Sequence, residues 1–186
     1  ALCEVALGGF GALGVEVEAV APPFPAGDLW RAWLDLRAFA NAEQLGPLYD
    51  DPASRARLKP AVIWEVERAR GLSLEAVKAA SLIRSRWYAR AAELFERFDA
   101  LVLPTAQVWP FEIGLVHPEA VGGRALDTYH RWMEVVIPAS LIGLPVVAVP
   151  AGFGAQGLPM GMQLIGRHGD DTGVLQLADA WHRATD

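Results

Sequence analysis

The 186-residue sequence predicts an α/β fold, with helices packed around a small buried sheet, on three observations. First, two apolar runs, Val146-Val147-Ala148-Val149 and Met160-Gly161-Met162-Gln163-Leu164-Ile165, flank the glycine-rich connector 152–159 and read as an antiparallel strand pair. Pro145 and Pro150 bound the first run, because proline donates no N–H to a ladder and marks strand ends better than strand middles. Second, Leu101 to Leu103 is a further short buried strand. Third, long segments before and after these runs carry apolar residues at helical spacing.

Taken in order, residues 1–12 read as the end of a helix, and the alternating Val15-Glu16-Val17-Glu18-Ala19-Val20 as a strand ended by Pro22-Pro23. Asp28 is placed to cap a helix to about Leu45, with Leu29, Trp30, Trp33, Leu34, Leu36 and Phe39 on its apolar face and Gly46-Pro47 as its stop. Residues 49–58 are polar and form a surface connection. Pro60 suits the first turn of a helix that closes at Gly71. Ser73 caps a long helix to about Arg97, with Leu74, Val77, Ala80, Leu82, Ile83, Trp87, Ala91, Leu94 and Phe95 at roughly helical spacing. Residues 104–125 form an irregular segment, of a length that is often functional. Leu126 to Leu141 reads as mostly helical, with Pro138 kinking or ending it, and a last helix runs from about Asp171 to Arg183. The expectation is one domain over residues 1–186.

Composition removes several function classes. Hydrophobic residues are 53% of the chain, too many for disorder, yet no apolar run reaches the roughly 20 residues of a membrane span. The net charge is −6 and no basic stripe is present, so direct nucleic-acid binding is not expected. One cysteine, Cys3, allows no internal disulfide, which fits a reducing, cytoplasmic setting. His117, His130, His168 and His182 lack ligand spacing, so neither a metal nor a cofactor is expected.

Several motifs have a plain structural reading beside the functional one. Gly9-Phe10-Gly11-Ala12-Leu13-Gly14 matches G-x-G-x-x-G, but a dinucleotide loop needs a strand before it and a helix after it. Here the order is reversed, and the glycines are expected to end a helix and turn the chain into Val15. Trp132 and Met133 on a helix read as core, and the pair Tyr129-His130 as a satisfied core or surface pair rather than an acid–base couple. Asp170-Asp171 precedes a helix, where carboxylates cap free N–H groups, so capping is preferred to a metal pair. Thr105 follows a strand end, a common place for ligand-facing residues, and leads into Ala106-Gln107-Val108-Trp109-Pro110-Phe111. The plain reading of Trp109 and Phe111 is apolar burial beneath a loop.

Gly143 to Gly152, read as GLP-x-x-x-VP-x-G, and Leu158 to Arg167, read as LP-x-G-x-Q-L-I-G-R, resemble the C-terminal region of the amidase signature family. Phe98 to Ala106 is similar to that family's FD-x-L-x-x-PT-x strand, and Gly71-Leu72-Ser73-Leu74-Glu75 and Gly166 to Asp171 also fit. Two positions depart from the pattern: Asp171 stands where Glu is usual, and Ser140 where Asn is usual. The resemblance implies an amidase-signature-type mixed β-sheet flanked by helices, of which this chain is the C-terminal part. It implies hydrolysis of a linear carbon–nitrogen amide bond by a serine nucleophile, a serine in a cis peptide and a lysine.

Those groups lie in a Gly/Ser-rich segment, and none exists here. No serine (Ser54, Ser73, Ser81, Ser85, Ser140) sits between glycines, and neither Lys59 nor Lys78 has the expected neighbours. The expected catalytic set within residues 1–186 is therefore empty, and the chain is read as a fragment inactive alone. In the resembling family the segment after the FD-x-L strand lies beside the acyl pocket. That makes Thr105, Gln107, Trp109 and Phe111 the substrate-pocket candidates. The implied partner is a small-molecule amide, with no membrane and no direct nucleic acid; a second copy or a partner protein is left open. The alternatives are the A subunit of a tRNA-dependent amidotransferase, and a noncatalytic interaction remnant.

Overall fold

The computed structural model describes residues 2–185. In chain order the elements are α1 (Leu2–Leu7), α2 (Gly9–Ala12), α3 (Ala26–Asp50), α4 (Pro52–Arg55), α5 (Pro60–Arg70), α6 (Leu74–Leu94), β1 (Ala100–Pro104), β2 (Ala120–Val121), β3 (Arg124–Ala125), the 3-10 helix Tyr129–Val136, α7 (Ile137–Ile142), β4 (Val146–Phe153), β5 (Pro159–Gly166) and α8 (Asp171–Thr185). They fall into two compact units, residues 24–90 and the residues on either side of them.

The unit of residues 24–90 is helical. Pro60 occupies the first turn of α5, where an N–H would lack an intrahelical partner in any case, and Gly71 caps its end. Ser73 Oγ accepts from Ala76 N at 3.1 Å and opens α6. Helices α3 and α5 pack through apolar residues and through charge. Glu65 is only 3% exposed, and its two oxygens accept from Arg37 Nε at 2.6 Å and Asn41 Nδ2 at 2.5 Å. A buried carboxylate is costly unless its lone pairs are filled in this way. Asp35, also buried, takes a short hydrogen bond from Arg68.

The other unit holds a three-stranded sheet of order β1-β5-β4, both pairings antiparallel, and the two-residue ladder β2-β3. The central strand β5 is the most enclosed: Met162 and Leu164 are fully buried and Ile165 nearly so. Side chains alternate along a strand, so its two faces do different work. Met162 and Leu164 join Phe10, Val149, Ala178 and Trp181 in one core against α1, α2 and α8. The Phe10 and Trp181 rings meet at 4.5 Å, and Trp181 Nε1 donates to the Pro150 carbonyl at 3.0 Å. Gln163 falls on the alternate register.

Several boundaries differ from the sequence reading. Residues 15–20 are extended but join no ladder among the described strands, and Val15, Val17 and Val20 are exposed. Alternation describes a strand only when a neighbour supplies the ladder; here Glu18 instead pairs with Arg97 at 3.2 Å. Helix α3 runs through Gly46-Pro47 to Asp50. Its last turn is tied to α5 by Tyr49 to Glu67 at 2.8 Å and Arg70 to Asp50 at 2.6 Å, which offsets the bond that Pro47 cannot make. Strand β4 runs past Pro150 to Phe153, with a register shift between Pro150 and Gly152. Proline is admitted because β4 is an outer strand and the irregularity falls beside it. Pro138 neither ends nor kinks a long helix: it sits in the first turn of α7, which the left-handed Gly143 (φ 67°) closes.

Candidate substrate-binding site

Strand β1 ends at Pro104, and the chain continues as an arm, residues 105–111, with no ladder of its own. Each of its contacts is therefore made by a side chain or a single backbone group. Thr105 N donates to Gly161 O at 3.0 Å, one step beyond the β1–β5 ladder. A Cβ on Gly161 would come within 2.8 Å of Thr105 Oγ1 and 3.1 Å of Val149 O, so only glycine lets the arm lie this close to β5. Trp109 rests on the β4–β5 connection, where a Cβ on Gly154 would approach its ring to 2.7 Å. Phe111 meets the Trp132 ring edge-on at 5.6 Å.

All four sequence candidates therefore lie on one arm, held from two sides. Thr105 and Gln107 are half-buried, whereas Trp109 and Phe111 are 43% and 36% exposed. Each ring thus combines a packing contact with surface in solvent.

The facing element is the 3-10 helix. Tyr129 makes edge contacts with the rings of His117, His130 and Trp132. His130 is 4% exposed, so it is enclosed rather than offered to a ligand. Trp132 is half-buried between Phe111 and Tyr129, and Met133 leaves helical geometry (φ −110°, ψ 18°). The first turn of this helix is fixed by charge. Arg131 Nε and a terminal nitrogen donate to the two Asp127 oxygens at 3.0 and 2.8 Å, and the other terminal nitrogen reaches Glu134 at 3.1 Å. The guanidinium holds the Asp127 carboxyl below the ordinary aspartate range, and Asp127 in turn raises Arg131.

The folded-state value of Asp127 lies below its unfolded value. Its contribution is therefore present above the unfolded pKa of about 3.9 and is lost as pH falls through the lower folded value. Asp127 is more than half exposed, so solvent screening limits the effect to about 1 kcal/mol or less. Asp127→Asn is expected to remove that dependence, flattening urea-unfolding stability between about pH 5 and 3 by up to this amount.

Gln163 is a buried polar residue beside the arm that the sequence analysis carries only as a motif letter. Its side chain is 3% exposed, and its Nε2 donates to Pro104 O at 2.8 Å and Val135 O at 3.1 Å. Gln107 Oε1 accepts from Val135 N at 2.8 Å. One polar letter inside the apolar run Met162 to Ile165 was the available signal. Cys3 lies close by, its Sγ 3.7 Å from Gly161 O, and burial pushes its thiol pKa up.

Other sequence candidates resolve locally. Asp170 Oδ1 accepts from Gly173 N at 3.1 Å and so caps α8. The glycines of 9–14 lie in and just after α2, without the strand–turn–helix order a dinucleotide loop requires. Among the described residues, no group of three or more His, Cys, Asp or Glu side chains is placed to hold a metal ion. Two cavities lie away from the arm. One of 530 Å³ is lined by Arg31, Asp35, Trp64 and Arg68, and one of 280 Å³ by Phe98, Arg167, Asp170 and Leu177. Among the described residues no helix is long and apolar enough to cross a membrane.

Comparison with known proteins matches this architecture. The A subunit of glutamyl-tRNA(Gln) amidotransferase from Streptococcus gordonii is 36% identical over 109 residues, which is 59% of this chain and 21% of that protein. A bacterial aryl acylamidase of the amidase signature enzymes superposes with a TM-score of 0.86 at 26% identity, over 99% of this chain and 39% of that one. The A subunit of the Thermotoga maritima glutamyl-tRNA(Gln) amidotransferase gives 0.66 at 28% identity, over 96% and 37%. The chain thus spans about a fifth of the curated relatives it matches. The α/β architecture is that of the amidase signature enzymes. The sequence model of the family described as Amidase matches residues 19–175, and the chain belongs to that family.

Proposed function

We propose that this chain supplies the sheet support and one pocket wall of an enzyme that hydrolyses a linear carbon–nitrogen amide bond. The observation that carries the reading is the arm at the end of β1, which presents Trp109 and Phe111 with exposed surface while Thr105 and Gln107 tie it to the sheet unit. Apolar walls with a few placed polar groups suit an acyl group next to a reacting carbonyl. The reaction proper needs an activated serine and backbone donors for the developing oxyanion. In this reading the serine nucleophile, the cis-peptide serine and the lysine base all lie outside residues 1–186. Serine attack on the carbonyl forms an acyl-enzyme and releases ammonia or an amine; water then frees the acid. A small-molecule amide is the substrate, no cofactor takes part, and the setting is cytoplasmic.

The second reading is the A subunit of a tRNA-dependent amidotransferase, favoured by the curated relatives, which carry that name. With a net charge of −6 on this chain, tRNA contact would fall to a partner protein. The test is to assay the complete open reading frame that encodes these residues, and the 186-residue chain separately, with 4-nitroacetanilide and with L-glutamine. Turnover of the anilide by the complete protein, with none from the chain alone, is the expected result. Glutamine hydrolysis that rises on adding a partner protein would select the amidotransferase. Turnover by the chain alone would overturn the placement of the reactive groups, and no turnover by either would favour a noncatalytic remnant.

A further inference from the structure

We infer that Gln107 and Gln163 form a two-sided clamp on Val135, and that this clamp fixes the separation between the pocket arm and the 3-10 helix. Both are positioning residues: they act through Trp109, Phe111 and Trp132. The consequence for substrate rests on the amide-hydrolase reading above, whereas the clamp itself does not.

Val135 is the penultimate residue of the 3-10 helix, two residues after the break at Met133. Both of its backbone polar groups go to glutamine side chains. Its N–H is taken by Gln107 Oε1 from the arm at 2.8 Å. Its carbonyl accepts from Gln163 Nε2 on β5 at 3.1 Å. The same Gln163 nitrogen also serves Pro104 O at 2.8 Å, the last carbonyl before the arm. One carboxamide therefore holds the root of the arm and the end of the facing helix together, and a second holds the middle of the arm to the same residue.

The chemistry at the two positions is opposite. Gln107 is used as an acceptor, Gln163 as a donor of both N–H groups. Gln163 lies among Met162, Leu164 and Ile165, where a carboxamide without partners would be costly and a carboxylate would face two carbonyl oxygens. A structure that needed only bulk at residue 163 would be served by leucine or methionine in this apolar strand. The Thr105–Gly161 bond and the packing of Trp109 on Gly154 tie the arm to β5 and its connection; toward Trp132 it is held by the Gln107 bond and by the Phe111–Trp132 contact.

The opposite polarity gives the test. Gln107→Glu keeps an acceptor; Gln107→Met, Gln163→Met and Gln163→Glu lose the bond each site needs. In the purified chain, amide hydrogen exchange at Val135 is expected to rise about tenfold in the last three and to stay near the parent rate in Gln107→Glu. Exchange at Leu164, in the central strand, serves as the control that each variant is folded. In the complete open reading frame, KM for 4-nitroacetanilide is expected to rise about tenfold in Gln107→Met and Gln163→Met while kcat falls less than about twofold, with Gln107→Glu restoring most of the loss. A merely structural role would lower the amount of folded enzyme and leave KM where it was. Equal Val135 exchange in the parent and Gln107→Met, with Leu164 protected, overturns the clamp. Changed exchange with unchanged KM overturns its role in the pocket. Absence of turnover in the complete protein defeats the amide reading alone, since exchange still decides the clamp.

Discussion

Replacement of Trp181 by alanine is expected to destabilise the sheet unit by about 3–5 kcal/mol. Trp181 is 2% exposed and is the largest side chain in the core that joins α8 to β4, β5 and the N-terminal helices. Three losses coincide. The ring leaves a cavity where Phe10 stood 4.5 Å away. The aromatic pair, worth about 0.5–1.5 kcal/mol beyond its area, disappears. The Pro150 carbonyl loses the indole donor it meets at 3.0 Å. Because these share atoms, they do not simply add. Trp181→Phe separates them: it keeps most of the apolar contact and removes only the donor, with an expected cost of about 1–2 kcal/mol. Urea unfolding followed by far-UV circular dichroism measures both. A cost below about 1 kcal/mol for the alanine variant would contradict the placement of this ring at the centre of the core.

A second large effect is expected at Gly166, the last residue of β5. A Cβ there would stand 2.3 Å from Val174 Cγ2, with Asp170 O and Pro145 Cγ at 3.4 Å. Val174 is itself 3% exposed, so it has nowhere to turn. Gly166→Ala therefore overpacks the junction between β5 and the first turn of α8, at an expected cost of about 1–3 kcal/mol. The double variant Gly166→Ala, Val174→Ala should recover part of that loss, because the second change removes the atom that the first one strikes. A double-mutant cycle reads the coupling directly. Additive single costs would mean that the clash is relieved by a shift of α8 rather than borne at Val174.

What the sequence made legible follows a physical rule. Several elements with local signals lie where the sequence places them, although Asp28 does not cap α3 and Gly46-Pro47 does not stop it. Pro60, Gly71 and Ser73 mark the ends of two helices, because capping and the missing proline N–H act within one turn. The antiparallel β4–β5 pair was readable from two apolar runs and the connector between them. Elements that depend on distant neighbours were not. The Val15 to Val20 alternation has the strand period but no ladder, and Pro150 lies within a strand because β4 is an outer one. The same rule covers the site. A strand end followed by aromatics singled out the candidates Thr105, Gln107, Trp109 and Phe111, which share a single arm in the structure. Gln163 lies across the sheet from that arm, and only the strand register, Leu103 opposite Gln163, brings its carboxamide under Pro104.

The meeting of Phe10 with Trp181 also governs how the polypeptide reaches this state. These partners stand near opposite ends of the sequence, with an entire helical unit between them. Local helices in residues 24–90 can form as soon as they emerge from the ribosome, whereas the hydrophobic centre of the sheet unit must wait for α8 to be synthesised. During that interval Phe10 and the strand Met160 to Ile165 lack the cover that α8 gives them, which leaves these segments adhesive until α8 has been made and docked.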